Sequence, residues 1–216
     1  MLPLFVDLRL RKVIVFGGGQ VGLRKALYFA KEAEVVVVSK DFCGGFERSD
    51  IELVREDALS VYADWIGWSD IVIAAMDDRS ANEIVINEAA ARGKLFNSAD
   101  GRSNFLIPSV VEREGYTVAM STLGRSPAMS KYLRIILDRT LAPEYGLMIS
   151  LQEELRAEAR IKIAEQRSRE RFLWEVLEDD DIWGAVRIGD IEKAKVMAKE
   201  RMVNFIGRDP QRTHNA

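Results

Sequence analysis

Three short motifs in this chain carry residue types that could do chemistry. The first is Gly17-x-Gly19-x-x-Gly22, which follows an apolar run and precedes a helical segment. In this position the first glycine permits a tight turn, the second lets the backbone approach a pyrophosphate, and the third allows close packing of helix on strand. The helix N-terminus adds free N–H groups and a partial positive charge. The motif predicts a dinucleotide-binding site, and a glycine-rich turn without a ligand is the alternative.

The segment after the second apolar run bears on the choice of dinucleotide. An acidic residue about 20 positions after the glycine motif is expected to bind the ribose hydroxyls of NAD. Here the run ends in Val38-Ser39-Lys40-Asp41, so the acid comes late, while Ser39 and Lys40 suit a 2′-phosphate equally well. A solvated surface lysine is an equal alternative for Lys40. These residues leave NAD and NADP both open.

The second motif is Asn97-Ser98-Ala99-Asp100-Gly101-Arg102, which follows the fifth predicted strand. Ligands of open α/β sheets bind at the carboxyl ends of the strands, so this segment is expected to border the crevice. A carboxylate at Asp100 could accept a proton while a hydride leaves to a nicotinamide. The alternative is structural, with Asp100 capping a turn ahead of Gly101.

The third motif is Ser121-Thr122-Leu123-Gly124-Arg125-Ser126-Pro127, which leads into a helix that carries Lys131 and Arg134. Hydroxyls, a glycine, a basic side chain and a helix N-terminus together suit an anionic ligand such as a carboxylate or a phosphate. An ordinary well-capped helix is the alternative, because Ser126 is a good N-cap and Pro127 suits the first helical position.

The composition excludes several kinds of chemistry. Among 216 residues, 31 lysines and arginines stand against 34 aspartates and glutamates, and the net charge of −3 gives no electrostatic basis for binding nucleic acid. One cysteine, Cys43, cannot form an intrachain disulfide, and one histidine, His214, lies in a polar tail. A histidine-based catalytic triad, a His/Cys zinc site and a histidine-ligated haem are therefore excluded, and no metal ligands are predicted.

Neither a targeting segment nor a membrane span is predicted. The first strongly apolar stretch, 13–16, is much shorter than the core of a signal peptide or a spanning helix. We therefore expect a cytoplasmic protein without a membrane partner.

Short β-branched runs alternate with helical segments in the first part of the chain. This alternation predicts βαβ units and therefore an α/β fold with an open, doubly wound parallel sheet of the Rossmann type. Strands are predicted at 12–16, 35–38, 51–54, 70–75 and 95–97, and helices at 21–31 and 80–92.

A different pattern follows the fifth strand. Two strand-like segments, 105–108 and 116–121, flank the turn Glu114-Gly115, and a helix is predicted from Pro127 to about residue 141. This small α+β block is expected to link the two halves of the chain and to provide a dimer interface.

Residues 150–216 have hardly any strand signal and a higher density of charge, which predicts an all-helical domain. One long helix or a broken pair is expected over 145–177, and a last helix over 190–206. The basic residues of the long helix are expected to form a solvated face, with favourable i,i+4 pairs Glu158–Lys162 and Glu165–Arg169.

Taken in this order, the motifs resemble the siroheme synthase family. Its members are precorrin-2 dehydrogenases, and some are also sirohydrochlorin ferrochelatases. The resemblance spans most of the chain, and the pair Arg24-Lys25 after the glycine turn is more telling than the glycines. The segments that carry it are 2–5, 17–25, 74–78, 97–100, 105–109 and 120–127.

The resemblance implies a fold in three parts. These are an NAD-binding Rossmann domain (1–112), a dimerisation segment (113–145) that joins two protomers in a homodimer, and a C-terminal helical domain (146–216). It implies that NAD oxidises precorrin-2 to sirohydrochlorin. In bifunctional members ferrous iron, as a substrate, is then inserted to give siroheme.

Motif positions also imply the site residues. The essential carboxylate of the family falls on Asp100, which we expect to be the general base of the dehydrogenation. The residues expected to bind the dinucleotide are Gly17, Gly19, Gln20, Val21, Gly22, Ser39, Asp41, Phe42, Ala75 and Met76. The residues expected to bind the carboxylate-rich tetrapyrrole are Ser121, Thr122, Gly124, Arg125, Ser126 and Lys131.

Two departures from the family pattern matter. The loop Met120-Ser121-Thr122-Leu123-Gly124 stands where many relatives have two serines followed by glycines, and the C-terminal domain diverges most. The sequence therefore leaves the chelatase step and its metal open. A catalytically idle tetrapyrrole- or dinucleotide-binding protein is the rival hypothesis. An ordinary short Rossmann oxidoreductase of the Tyr-x-x-x-Lys type is disfavoured, because no tyrosine here has a lysine four residues on.

Overall fold

The computed structural model describes residues 1–48 and 51–208, so His214 lies outside the described residues. The chain divides into two compact units, of which the first is Met1–Ile107 and the second begins at Pro108. The three-part division expected from the family stays a prediction. Among the described helices, none is both long and apolar enough to cross a membrane.

The first unit contains a five-stranded sheet in which every pair is parallel, with the order β3-β2-β1-β4-β5. The β-branched runs form its centre because both faces are covered, and the side chains of β4 are all buried. The strands are β1 (Lys12–Phe16), β2 (Glu34–Val38), β3 (Glu52–Val54), β4 (Ile71–Ala74) and β5 (Leu95–Ser98).

Helices cover the two faces of this sheet. Val13 and Val15 of β1 pack in one core with Leu23 of α1, whereas Ile14 and Phe16 pack in a second core on the opposite face with α2 and α3. These helices are α1 (Gln20–Phe29), α2 (Ala58–Trp68) and α3 (Arg79–Ala91). The doubly wound fold is confirmed; α2 was not predicted, although Asp57 caps it by accepting a hydrogen bond from the backbone N–H of Leu59.

The topology locates the crevice. The chain passes from β1 to β2 and β3 on one side, and then returns to β4 and β5 on the other. The order therefore reverses between β1 and β4, where Phe16 lies opposite Ala74 at the carboxyl ends of the strands. Ligands of such sheets bind outside this point.

The predicted strand at 105–108 is wrong. Phe105 and Ile107 pack against the core on the α1 face, and the Phe105 carbonyl accepts a hydrogen bond from the Asn97 side chain instead of from a strand. Pro108 has no N–H to donate, and the strand begins one residue later, as β6 (Ser109–Arg113).

The second unit opens with an antiparallel hairpin of β6 and β7 (Tyr116–Met120), whose turn contains Gly115 at φ 83°. Helix α4 (Pro127–Thr140) follows, and its N-cap Ser126 accepts a hydrogen bond from the Met129 N–H, as predicted. Although α4 has an apolar stripe, none of its residues is buried within the described chain.

Four helices complete the second unit. They are α5 (Glu144–Lys162), α6 (Gln166–Leu177), α7 (Asp180–Arg187) and α8 (Ile191–Arg208). The region 145–177 is therefore a broken pair, and α7 was not predicted. These helices share one core, whose largest fully buried side chains are Phe172, Met148, Leu151, Leu155, Ile182 and Met202.

One of the two ion pairs predicted for this region is present. Lys162 Nζ lies 2.5 Å from Glu158 Oε1. The prediction of a Glu165–Arg169 pair is wrong, because Arg169 donates instead to the carbonyls of Ile163 and Ala164, in the break between α5 and α6. Those carbonyls follow a helix end and need donors, so they compete for the guanidinium.

Candidate active site

The glycine turn between β1 and α1 has the geometry that the motif predicts. Gly17 has φ +120°, and a Cβ there would lie 2.3 Å from the carbonyl oxygen of Ala75. A Cβ on Gly22 would lie 2.0 Å from the carbonyl oxygen of Gly17, so helix and turn are in close contact. At Gly19, in contrast, no described atom beyond Gly19 and its two chain neighbours lies within 4 Å of the Cβ position. Packing requires the first and third glycines, whereas the second faces space that a ligand can enter.

The N-terminus of α1 is open to an anion. Gly19 is its N-cap and offers no side-chain cap, and the first turn contains no acidic residue. The backbone N–H of Leu23 donates to the Gly19 carbonyl over 2.9 Å, so the N–H groups of residues 20–22 precede the first intrahelical bond. Gln20 and Val21 in this turn are exposed. The arrangement fits the pyrophosphate of a dinucleotide.

The loop after β2 lies directly against the glycine turn. A Cβ on Gly18 would lie 2.1 Å from the carbonyl oxygen of Asp41, and the Cys43 N–H donates to the Gly18 carbonyl over 2.8 Å. Asp41 and Phe42 therefore stand beside the turn. The Arg55 guanidinium lies over the Phe42 ring at 5.2 Å. Neither the approach of Gly18 nor the presence of Arg55 was predicted. The first depends on how β1 pairs with β2, and the second on how β3 pairs with β2.

Lys40 forms an ion pair in the structure. Its Nζ lies 2.8 Å from Asp57 Oδ2, and both side chains are exposed. This pair lowers the pKa of the Asp57 carboxyl, chiefly through the hydrogen bond from Lys40. The residue that could have met a 2′-phosphate thus has a carboxylate partner.

Asp100 lies at the carboxyl edge of the sheet, in the loop after β5, and is exposed. Its Oδ1 accepts two hydrogen bonds, from Asn82 Nδ2 at 3.2 Å and from Ser98 Oγ at 3.1 Å. The turn ahead of Gly101 is closed by Ser98, whose Oγ accepts from the Gly101 N–H over 3.1 Å. The hydrogen bonds of this turn thus assign the cap to Ser98, and the exposed carboxylate is held by Asn82 and Ser98.

Asn82 connects Asp100 to the turn after β4. Its Oδ1 accepts from the Met76 N–H over 3.0 Å, and its Nδ2 donates to the Met76 carbonyl over 2.8 Å. The side chain is buried, and sequence reasoning missed it. The available signal was its position on the apolar face of α3, in phase with Val85, Ile86 and Ala89.

Lys25 of α1 also reaches this edge. Its Nζ donates to Asn97 Oδ1 over 2.6 Å, and Asn97 Nδ2 donates to the Phe105 carbonyl over 3.0 Å. The pKa of the Lys25 ammonium is lowered from its ordinary 10.5 to about 8, chiefly by burial and then by the Arg24 charge, while the Asp100 charge opposes both. The structure thus brings Lys25 of this pair and the second motif together.

The third motif lies in the second unit, and its hydroxyls serve the loop itself. Thr122 Oγ1 accepts from the Ser126 N–H over 3.1 Å, and Ser121 Oγ accepts from the Leu123 N–H over 3.0 Å. Leu123 has φ 54° in the left-handed region. Three further residues predicted for substrate binding are exposed: Gly124, Arg125 and Lys131. Their substrate contacts stay a prediction.

Among residues 1–48 and 51–208, no group of three or more His, Cys, Asp or Glu side chains could hold a metal ion.

Known proteins match the region just described. A family model described as "Putative NAD(P)-binding" matches residues 4–109. A precorrin-2 dehydrogenase from Methanosarcina barkeri is 38% identical over 190 residues, which cover 84% of this chain and 85% of that protein. The chain belongs to the precorrin-2 dehydrogenase and siroheme synthase family. The resemblance drawn from the motifs is thereby confirmed.

Longer members of the family match in part. The siroheme synthases of Photorhabdus laumondii and Thiobacillus denitrificans are 29% and 30% identical over 93% and 98% of this chain, but the match covers only 43% and 44% of those proteins. The chain thus spans less than half the length of these synthases. A solved structure titled SirC, precorrin-2 dehydrogenase, shares the fold, with a TM-score of 0.71 at 22% identity over 93% of this chain and 100% of that one.

Proposed function

We propose that this protein oxidises precorrin-2 to sirohydrochlorin, with NAD as the hydride acceptor. The observation that carries the proposal is the Asp100 carboxylate, which is oriented by Asn82 and Ser98 at the same sheet edge as the glycine turn. The family relative named precorrin-2 dehydrogenase supports the choice of substrate. The site residues given by motif position are part of this proposal.

The residues present fit a dinucleotide, because Gly19 leaves open space before an uncapped helix N-terminus. Bound NAD would supply a hydride acceptor at the nicotinamide. The backbone of α1 would bind the pyrophosphate, and Asp41 and Phe42 would border the adenosine half. Asp100 would accept the proton that leaves as the substrate loses its hydride, so the substrate gives up two electrons and two hydrogens in total.

NAD is proposed as the preferred dinucleotide over NADP. Lys40, the basic residue nearest the expected ribose position in sequence, is paired with Asp57 at 2.8 Å. A 2′-phosphate would have to compete with that carboxylate for the ammonium. An exposed pair of this kind is weak, so competition lowers NADP affinity only modestly.

Insertion of ferrous iron into sirohydrochlorin is proposed as a second step. Two pyrrole protons must leave when the metal enters, and the exposed Asp100 carboxylate can accept them one at a time and release each to solvent. The basic side chains of Arg125 and Lys131 are proposed to bind carboxylates of the tetrapyrrole. The reactions are expected to take place in the cytoplasm.

A homodimer completes the proposal. Helix α4 exposes Met129, Tyr132 and Ile136 by 44%, 57% and 40%, next to a two-stranded hairpin that is marginal by itself. A contiguous apolar patch of this kind indicates an interaction surface. A second copy of the chain is the proposed partner.

An anaerobic absorbance assay tests the function. Precorrin-2 is mixed with the protein and NAD, or with NADP, and the spectra of sirohydrochlorin and of the reduced dinucleotide are followed. Addition of Fe²⁺ then tests for siroheme formation faster than in a protein-free control. Dehydrogenation without chelation would leave a one-step enzyme, and tetrapyrrole binding without oxidation by either dinucleotide would favour the catalytically idle binding protein.

A further inference from the structure

Lys25 is an active-site neighbour that the proposed function has not used. It projects from the middle of α1 and is half-buried, and its Nζ donates to Asn97 Oδ1 at 2.6 Å on β5. Strand β5 is separated from β1 by β4, so the lysine spans the carboxyl edge of the sheet. Its amine therefore lies against the second motif, on the helix that begins at the dinucleotide turn.

The contact joins a cation to a buried amide. Asn97 is only 6% exposed, and its Nδ2 is already engaged by the Phe105 carbonyl at 3.0 Å. Its Oδ1 therefore faces Lys25 with no freedom to turn. Loss of the lysine donor would leave the buried Asn97 Oδ1 without this hydrogen bond. The free energy lost in this way is larger than the net stabilisation that the bond gives.

Asn97 also begins the segment that carries Asp100. The Ala99 N–H donates to the Ala74 carbonyl over 2.9 Å, which continues the pairing of β4 and β5 up to the residue before Asp100. The position of the carboxylate thus depends on the end of β5. In addition, Asp100 attracts the Lys25 ammonium electrostatically.

We propose that Lys25 is a positioning residue for dehydrogenation: its protonated amine holds Asn97 and the segment leading to Asp100 in the working geometry, and loss of that proton sets the alkaline limit of turnover. This inference rests on the proposed function. Neutralisation removes the charge assistance of the bond to Asn97 and the attraction to Asp100, while the amine stays in place.

The surroundings of Lys25 lower its pKa into the pH range in which turnover can be measured. Its pKa is lowered from 10.5 to about 8, first by burial and then by Arg24 on the same helix, while Asp100 raises it. The strands packed beneath α1 contribute no charge there, because they present apolar side chains: Val13, Val15, Val35, Val37, Ile71 and Ile73.

The pH profile of kcat with precorrin-2 and NAD tests the proposal. We expect the wild-type rate to fall with an apparent pKa of about 8. Lys25→Met should lower kcat about 10–100-fold and remove this alkaline limb, with little change in NAD affinity. Lys25→Arg, which stays protonated, should recover part of the rate without the limb. Lys193→Met, an exposed lysine on α8, is the matched control and should keep the wild-type profile.

Arg24→Gln distinguishes a positioning role of Lys25 that depends on its charge from a merely structural one. Because the Arg24 charge lowers the pKa of Lys25, its removal should shift the alkaline limb to higher pH. An NMR titration of protein with ¹³Cε-labelled lysine, assigned with Lys25→Met, should show the same shift without any turnover.

The outcomes separate the two proposals. A wild-type alkaline limb that persists unchanged in Lys25→Met overturns the role of Lys25 and leaves the dehydrogenase function intact. An NMR titration of Lys25 near its ordinary pKa overturns it as well. Failure of the wild-type protein to oxidise precorrin-2 with either dinucleotide overturns the proposed function, and the positioning role falls with it.

Discussion

The Nδ2 atom of Asn82 donates a hydrogen bond to Oδ1 of Asp100 over 3.2 Å, while the same amide exchanges two hydrogen bonds with the backbone of Met76. One buried side chain therefore connects the turn after β4 to the loop after β5. Met76 in turn borders Gly17: a Cβ added to this glycine would lie 2.9 Å from the Met76 nitrogen. Met76, which contacts the dinucleotide turn, is thus linked through Asn82 to the carboxylate.

Replacement of the carboxylate is the most direct test of its role. Asp100→Asn keeps an oxygen that can accept from Asn82 and Ser98, so we expect a normal fold and NAD affinity. Turnover should fall about 10²–10⁴-fold, because an amide does not accept the proton. Steady-state kinetics and NAD titration check both, with the exposed Asp64→Asn on α2 as control. Near-normal turnover in Asp100→Asn would sink the assignment.

Removal of the connecting amide should damage both stability and activity. Asn82→Ala leaves the N–H and carbonyl of Met76 without their partner and removes one donor from Asp100. We expect the free energy of unfolding to fall by about 2–3 kcal/mol and kcat to fall as well. Urea unfolding and kinetics measure the two effects. Asn87→Ala, at an exposed position of the same helix, should change neither; equal effects of both variants would contradict the network.

The first two glycines of the motif should respond differently to alanine. Gly17→Ala combines φ +120° with a Cβ 2.3 Å from the Ala75 carbonyl, so it should cost about 3 kcal/mol or more of stability. Gly19→Ala should change stability by no more than about 1 kcal/mol, because its Cβ meets open space. It should nevertheless weaken NAD binding about tenfold or more, by filling the space the pyrophosphate needs. Urea unfolding and NADH fluorescence titration separate the two effects, and unchanged affinity in Gly19→Ala would place the dinucleotide elsewhere.

The titration of Lys25 should also appear in protein stability. Between pH 8 and 10.5 the unfolded lysine keeps a proton that the folded one has lost, so the unfolded state binds more protons and stability rises with pH. Below pH 8 both states are protonated, and the cost of burying the charge is constant. From near pH 7 to near pH 10, the stability of the wild type relative to Lys25→Met should rise by about 1–2 kcal/mol, a value reduced for solvent screening. Urea unfolding of both proteins at the two pH values measures it, and a constant difference would contradict the lowered pKa.

The apolar stripe of α4 should determine the oligomeric state. Ile136→Asp places a charge within the proposed interface and should convert a dimer into monomers without unfolding, because this side chain is 40% exposed in the single chain. Sedimentation equilibrium measures the mass. Arg139→Gln, on the exposed part of the same helix, should leave the dimer intact. A wild-type protein that sediments as a monomer would refute the homodimer.

Much of this architecture was predictable because it depends on local patterns. A buried parallel strand followed by three glycines at this spacing commonly forms a tight turn into a helix. Gly17 makes that turn, and Gly22 packs the helix against it, as the pattern predicts. The Ser126–Pro127 start of α4 is similarly local, since a cap and its first turn lie within four residues. Strands with buried β-branched runs were found for the same reason, whereas α2 and the eight-residue α7 were missed.

The sequence by itself determined the five strands of the first unit, the helices α1, α3 and α4, the glycine turn, and Asp100 as the carboxylate to test. Only the tertiary structure decided which side chains surround that carboxylate. The contacts of Asp100 with Asn82 and of Lys25 with Asn97 join residues 18 and 72 positions apart. They exist because parallel pairing brings the ends of β1, β4 and β5 to one edge. The wrong strand prediction for residues 105–108 has the same cause. Their apolar composition is typical of a strand, but the Phe105 carbonyl accepts a hydrogen bond from the Asn97 side chain, a contact that only the tertiary structure creates.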